Sequence, residues 1–200
     1  MITSRNKIIE EAARLFMING YKGCRTVEVA EFAGLSNNSG LFRYFKTKAE
    51  MYYTVVERYI VNMQKPKDKF GNCSHLSLKD FIEHYIDVVG KSMTNVHTIM
   101  NAGDKTANRY FSFALESGYK YKECSKAILN FGTEEIELWH KVIEKAQKAN
   151  EISSDINPYH AAKLFRYAFM GLSYTFAIEN GVSIEQVREA LYEIYDMIKK

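Results

Sequence analysis

Apolar positions recur along this chain with a period near 3.6, and that periodicity predicts an all-α protein of about nine helices. Ile8, Ile9, Ala12, Leu15 and Phe16 share one face of a first helix over 4–18, stopped by Asn19-Gly20. Thr26 is expected to cap a short helix over 27–33, and Ser36 a second over 37–44. Thr47-Lys48-Ala49-Glu50 has the form of a capping box, opening a longer helix that reaches about Gln64. Lys65–Ser77, with Pro66, Gly71 and Asn72, reads as a loop. Helical patterning resumes over 78–93, is ambiguous over 95–121 with breaks near Gly103 and Gly118, and fills 122–150 with a bend at Gly132-Thr133. Asn157-Pro158 opens a helix to about Glu179, closed by Asn180-Gly181. Ser183-Ile184-Glu185-Gln186 opens the last, to Ile198.

Two of these helices carry chemistry. Ala33-Gly34-Leu35-Ser36 joins short helices at the spacing of a helix-turn-helix, Gly34 permitting the sharp turn. If Leu35, Leu41 and Phe45 turn inward, the opposite side of the second helix is left with Asn37, Asn38, Ser39 and Arg43. A merely solvated face would favour better helix formers such as Glu and Lys. Short amides, a hydroxyl and a guanidinium suit base edges, Asn pairing with adenine and Arg with guanine. The helix over 158–179 is apolar nearly all round. Ala161, Leu164, Phe165, Ala168, Leu172 and Phe176 form one stripe, Tyr167, Met170, Tyr174 and Ile178 another. Two apolar faces need two partners, the domain's own core and, most simply, a second copy, although a central helix of a monomer would read alike.

Charge supports the division. The formal net charge of +3 is concentrated in residues 1–50, which hold eight Lys/Arg against five Asp/Glu, whereas 51–200 is balanced. A basic head on a neutral body fits a polyanion partner. At 200 residues, 46% hydrophobic and 26% charged, the chain has globular composition and length for a full core. Three cysteines without metal-type spacing, no apolar leader and no uncharged run of about twenty residues fit a soluble cytoplasmic protein with no membrane segment. No nucleophile elbow, phosphate-cradling glycine loop or His-Glu-x-x-His string is present, and Cys73-Ser74-His75 lacks a second pair of ligands. Neither an enzyme, a metal nor a cofactor is expected.

Phe16, Gly20-Tyr21, Thr26, Val29-Ala30, Ala33-Gly34-Leu35-Ser36, Leu41-Phe42, Tyr44-Phe45 and Lys48 follow one another in the order and spacing that resembles the DNA-binding head of the tetracycline-repressor (TetR) family. The resemblance covers about the first 60 residues, with a weaker echo over Asn150–Gly171. One departure stands out: between Ser36 and Leu41-Phe42 the chain has one residue more than the usual spacing. Phe42 also stands where Tyr is frequent.

The resemblance implies a head over 1–48 and a ligand-binding and dimerisation body over 49–200. It implies a homodimer that reads a pseudo-palindromic operator in double-stranded DNA and is released by a small-molecule effector. Thr26 and Tyr44 would contact phosphates and Lys48 would face the backbone. Arg25 and Lys46 join them by charge and position, beside Ser36, Asn37, Asn38, Ser39, Phe42 and Arg43 in the groove. Candidate effector contacts are Met93, His97, Met100, Asn101, Phe111, Trp139, Tyr167, Met170 and Tyr174. Candidate dimer contacts are Phe165, Ala168, Phe169, Leu172, Phe176, Val187, Leu191 and Ile194. The alternative reading is an all-helical small-molecule or lipid-binding module without DNA binding.

Overall fold

The computed structural model describes residues 4–63, 65–100, 106–179 and 181–200. Among these residues the chain is all-helical, with ten α-helices, one π turn and a single isolated β-bridge between Ile152 and Lys199. It divides into two compact units, one from the N-terminus to Met63 together with Val96–Ile128, the other Gln64–Asn95 with Leu129–Lys200.

In the first unit, α1 (Arg5–Gly23) starts at Ser4, whose hydroxyl accepts from the Lys7 N–H at 3.2 Å. Its buried face, Ile8, Ile9, Ala12, Ala13, Leu15, Phe16 and Met17, forms one core with Val29, Ala30 and Ala33 of α2 (Thr26–Phe32). Leu41 of α3 (Asn38–Phe42), Phe45, and Met51, Tyr52, Val55 and Val56 of α4 (Lys48–Val56) complete that core. The expected stop at Asn19-Gly20 is a true break. Gly20 sits at φ 67°, ψ 175°, a region open essentially to glycine alone. Both sides of the break are held by α7 (Thr106–Lys120). Arg109 Nη1 donates to the Ile18 carbonyl at 2.7 Å, and the Glu116 carboxylate accepts from the Tyr21 N–H at 3.1 Å. Tyr52 meets Phe16, Tyr21 and Phe113 edge to face, and its hydroxyl pairs with that of Ser117 at 3.0 Å.

The box at Thr47 is realised on one side only. Thr47 Oγ1 accepts from the Glu50 N–H at 3.0 Å, but the Glu50 carboxylate takes the N–H of Lys46, at 2.7 Å. The helix does not run unbroken to Gln64. It widens into a π turn over Glu57–Val61, with Asn62 N–H on the Glu57 carbonyl at 2.8 Å, and Gln64 lies outside the described residues. Gly103 and Asn180 lie outside them too.

The second unit corrects the reading of Lys65–Ser77 as loop throughout. A short α5 (Pro66–Phe70) opens on Pro66, and Phe70 is buried, stacked on Tyr85 with centroids 5.0 Å apart. Helix α6 (Leu78–Met100) outlasts its expected end at Met93, and its first N–H groups, Leu78 and Lys79, both donate to the Glu151 carboxylate at 2.9 Å. Helix α8 (Lys122–Lys148) ends ahead of Asn150, which adopts a positive φ of 61°. Helix α9 (Pro158–Ala177) is capped by Asn157 as expected. Helix α10 (Ile184–Ile198) has the full box, Ser183 Oγ accepting from Gln186 N–H at 3.2 Å and Gln186 Oε1 from Ser183 N–H at 2.8 Å. The core between them centres on Trp139, Phe165, Phe81, Tyr85, Val187 and Leu191.

Gly20→Ala is expected to cost about 1–3 kcal/mol, because any Cβ is strained at that φ/ψ. Urea denaturation, followed by circular dichroism at unchanged slope, measures it.

Candidate nucleic-acid interface

The sharp turn between α2 and α3 depends on Gly34, at φ 80°, while Leu35 N–H reaches the Ala30 carbonyl at 2.8 Å. Two expected caps move by one residue. Thr26 is the first helical residue of α2, with Arg25 in the cap position and no side-chain cap. Asn37, not Ser36, caps α3, its Oδ1 accepting from the Gly40 N–H at 3.0 Å. Ser36 and Asn37 both lie in the turn, so the additional residue lengthens the turn and leaves α3 short. Asn38 then faces inward. Its amide donates to Thr26 Oγ1 at 3.2 Å and its Oδ1 is buried without a hydrogen-bond partner.

What remains outward is a strip of Ser36, Asn37, Ser39, Phe42 and Arg43, all exposed, with Tyr44 and Lys46 beyond the helix. Phe42 is 43% exposed. Arg43 makes no ion pair among the described residues. Arg25 is differently placed. Its guanidinium is bound to Glu28 at 2.6 Å, which raises its pKa and sets a carboxylate beside its charge. The Arg25/Glu28 spacing of three residues was visible in the sequence as a helical pair. Lys48 is half-buried, its ammonium 4.8 Å from the centre of the Tyr21 ring.

The body candidates divide between the two units. Met93, Trp139, Tyr167, Met170 and Tyr174 belong to the second unit, His97 and Phe111 to the first. Asn101 and the side chain of Met100 lie outside what is described. Trp139 is fully buried, His97 is exposed, and Tyr167 and Tyr174 point outward at 59% and 62% exposure.

On α9 the two stripes separate, except that Leu164 leaves the first for the open face and Met170 of the second is half-buried. Phe165, with Val187, Leu191 and Ile194 of α10, is buried in the chain's own core, and Ala168, Phe169, Leu172 and Phe176 pack half-buried against it. The open face is Leu164, Tyr167, Gly171, Tyr174 and Ile178, at steps of three and four residues. Sequence reasoning passed over Arg166, buried between those stripes against Glu135 of α8. A lone guanidinium interrupting an apolar helix was the available signal.

The three thiols, Cys24, Cys73 and Cys124, are free and buried. Burial pushes the Cys24 thiol up to about 11 and raises the other two, so none is poised as a thiolate. Among the described residues no helix is long and apolar enough to cross a membrane, and no cluster of His, Cys, Asp and Glu could hold a metal.

Residues 8–53 match the family model of bacterial regulatory proteins, tetR family. No curated protein matches the sequence at comparable strength. Several solved structures share the fold along nearly the whole chain at low identity. A protein of Saccharomonospora viridis, provisionally assigned as a transcriptional regulator and crystallised with choline, aligns at TM-score 0.71 and 14% identity, covering 98% of this chain and 97% of that one. SmeT, the repressor of the Stenotrophomonas maltophilia multidrug efflux pump SmeDEF, aligns at TM-score 0.63 and 16% identity, covering 98% and 91%. Reduced Escherichia coli NemR aligns at TM-score 0.61 and 15% identity, covering 98% and 97%.

Asn37→Ala is expected to cost about 1 kcal/mol of stability through loss of the α3 cap, and Asn37→Asp to restore most of it. The check is the midpoint of urea unfolding for both variants.

Proposed function

We propose, from the match of residues 8–53 to the family model of bacterial regulatory proteins, tetR family, that the chain is a ligand-responsive transcriptional repressor acting as a homodimer on a pseudo-palindromic operator. The observation that carries the proposal is the strip Ser39, Phe42 and Arg43, exposed on a short helix that a helix-turn-helix presents. In this reading residues 1–48 read DNA, and 49–200 bind the effector and pair the two copies.

Each side chain has a task its chemistry allows. Arg43 offers two parallel N–H donors to a guanine edge, and Phe42 an apolar face to a thymine methyl. Asn37 keeps its NH2 group, since only its carbonyl oxygen caps α3. Thr26 accepts from Asn38 and so has its own O–H to give to a phosphate. Tyr44, Lys46 and Lys48 flank the groove as phosphate contacts, Lys46 with an exposed ammonium. Arg25, already paired, contributes little net charge.

Pairing falls to the open face of α9. Leu164, Tyr167, Tyr174 and Ile178 form a seam at heptad spacing, and Gly171 lets a second helix approach closely because nothing lies within 4 Å of where its Cβ would stand. An apolar seam of this length on a charged molecule is best covered by its own copy under two-fold symmetry. Repression is proposed by analogy of fold with SmeT.

Selection of bound duplexes from a random pool tests the reading, with an inverted repeat expected. On that repeat, Arg43→Ala should lose about 1–3 kcal/mol at one base position and relax preference there. Lys46→Ala should weaken all duplexes alike and flatten the salt dependence. Equal loss on specific and random duplexes from Arg43→Ala would remove that residue from the reading strip. In sedimentation the native chain should run at about twice 23.1 kDa, and Tyr174→Asp at the monomer mass.

A further inference from the structure

The second unit holds a cluster of charges, two of them buried and one half-buried, that does not balance. Phe131, Glu135 and Trp139 follow one another on α8 at four-residue steps and share one stripe. Glu135, 2% exposed, meets the Arg166 guanidinium at 2.5 Å and accepts a hydrogen bond from the Tyr85 hydroxyl at 2.6 Å. Lys69 of α5 feels both partners. Burial draws its pKa down, Glu135 lifts it, and Arg166 lowers it again. Its Nζ lies 5.4 Å from the centre of the Phe70 ring and 5.7 Å from that of Phe131. Two cations against one carboxylate leave a positive charge over in aromatic surroundings, where an unmatched ion is costly.

Hydrogen-bond donors are also left over. Arg166 Nη1 and Trp139 Nε1 are buried without a partner, although Arg166 is 91% and Trp139 wholly removed from solvent. The other guanidinium nitrogen, Nη2, faces Gly132, which has no side chain to cover it. A water molecule could satisfy a donor, but it would not balance the charge.

We propose that this cluster is an effector seat for an amphipathic monoanion, a carboxylate on an aromatic or aliphatic body. The Arg166 guanidinium and the Lys69 ammonium take the carboxylate, and the Phe70 and Phe131 rings beside Lys69 meet the body. A cationic ligand is excluded by the same surplus of charge. The binding stands on these residues alone, while its regulatory consequence rests on the function proposed above.

Trp139 is the one tryptophan of the chain, stacked on Phe165 with centroids 4.5 Å apart, so its fluorescence reports the seat directly. The full chain is titrated with benzoate and octanoate, and with benzamide and octanamide as neutral isosteres. Saturable changes are expected with a carboxylate, and affinity weaker by at least about tenfold for its amide. Arg166→Met would strand Glu135 and endanger folding, so Lys69→Met, at a half-buried position, carries the mutational arm. It should weaken the carboxylate by about tenfold, leave the amide unchanged and leave far-ultraviolet circular dichroism intact. No saturation by either carboxylate, equal binding of acid and amide, or undiminished carboxylate binding by Lys69→Met would each overturn the proposal. Release of the selected duplex is measured separately. Carboxylate binding without release keeps the seat and counts against the regulatory reading, whereas a protein that binds its duplex but no carboxylate keeps the reading and loses the seat.

Discussion

The break at Gly20 is the constraint on which the head depends. A helix that stops leaves carbonyls and N–H groups without partners, and buried ones must find them elsewhere. Here both come from α7, Arg109 serving the Ile18 carbonyl and Glu116 the Tyr21 N–H. The two side chains are seven residues apart, two helical turns, and therefore project from the same face of α7. That clamp fixes where α1 kinks. The kink in turn sets where Tyr21 stands against Tyr52 and Lys48, and how the chain approaches α2. The helix-turn-helix is thus referenced to α7 within one compact unit, and a displacement of α7 has a direct mechanical route to the exposed strip of α3.

Local signals were legible and distant ones were not. Asn157-Pro158 and the Ser183–Gln186 box act within three residues of themselves, and each caps as its sequence implies. Thr47 shows the limit of such reasoning, since Glu50 had a second N–H within reach, that of Lys46, and took it. Helix α5 has too few residues for periodicity to register, and it exists because Phe70 finds Tyr85 and a buried seat. At the site, the helix-turn-helix and its exposed Arg43 could be read from spacing. The inward turn of Asn38 could not, because its partner Thr26 is twelve residues away on another helix.

Helix α9 shows why an apolar stripe does not announce its partner. Both of its faces are apolar, and the sequence assigned the wider one, through Phe165 and Leu172, to a second copy. In the structure that face belongs to Trp139 and the α10 residues Val187 and Leu191, because Trp139 needs a flat neighbour and Phe165 supplies it at 4° between planes. Arg166 sits at the boundary between the faces and could not have been placed without knowing that Glu135 waits on α8. Burying an ion pair in a core of this kind contributes little to stability compared with an apolar filling. Its retention is understandable where the pair holds donors ready for something else.

The cysteines give each unit its own clock. Cys24 and Cys124 are sealed in the first unit and Cys73 in the second, all with thiols held protonated by burial. A small alkylating reagent reaches such a sulfur only when the surrounding structure opens. The mass increments therefore date the opening of one half of the molecule independently of the other, with no label engineered into the chain.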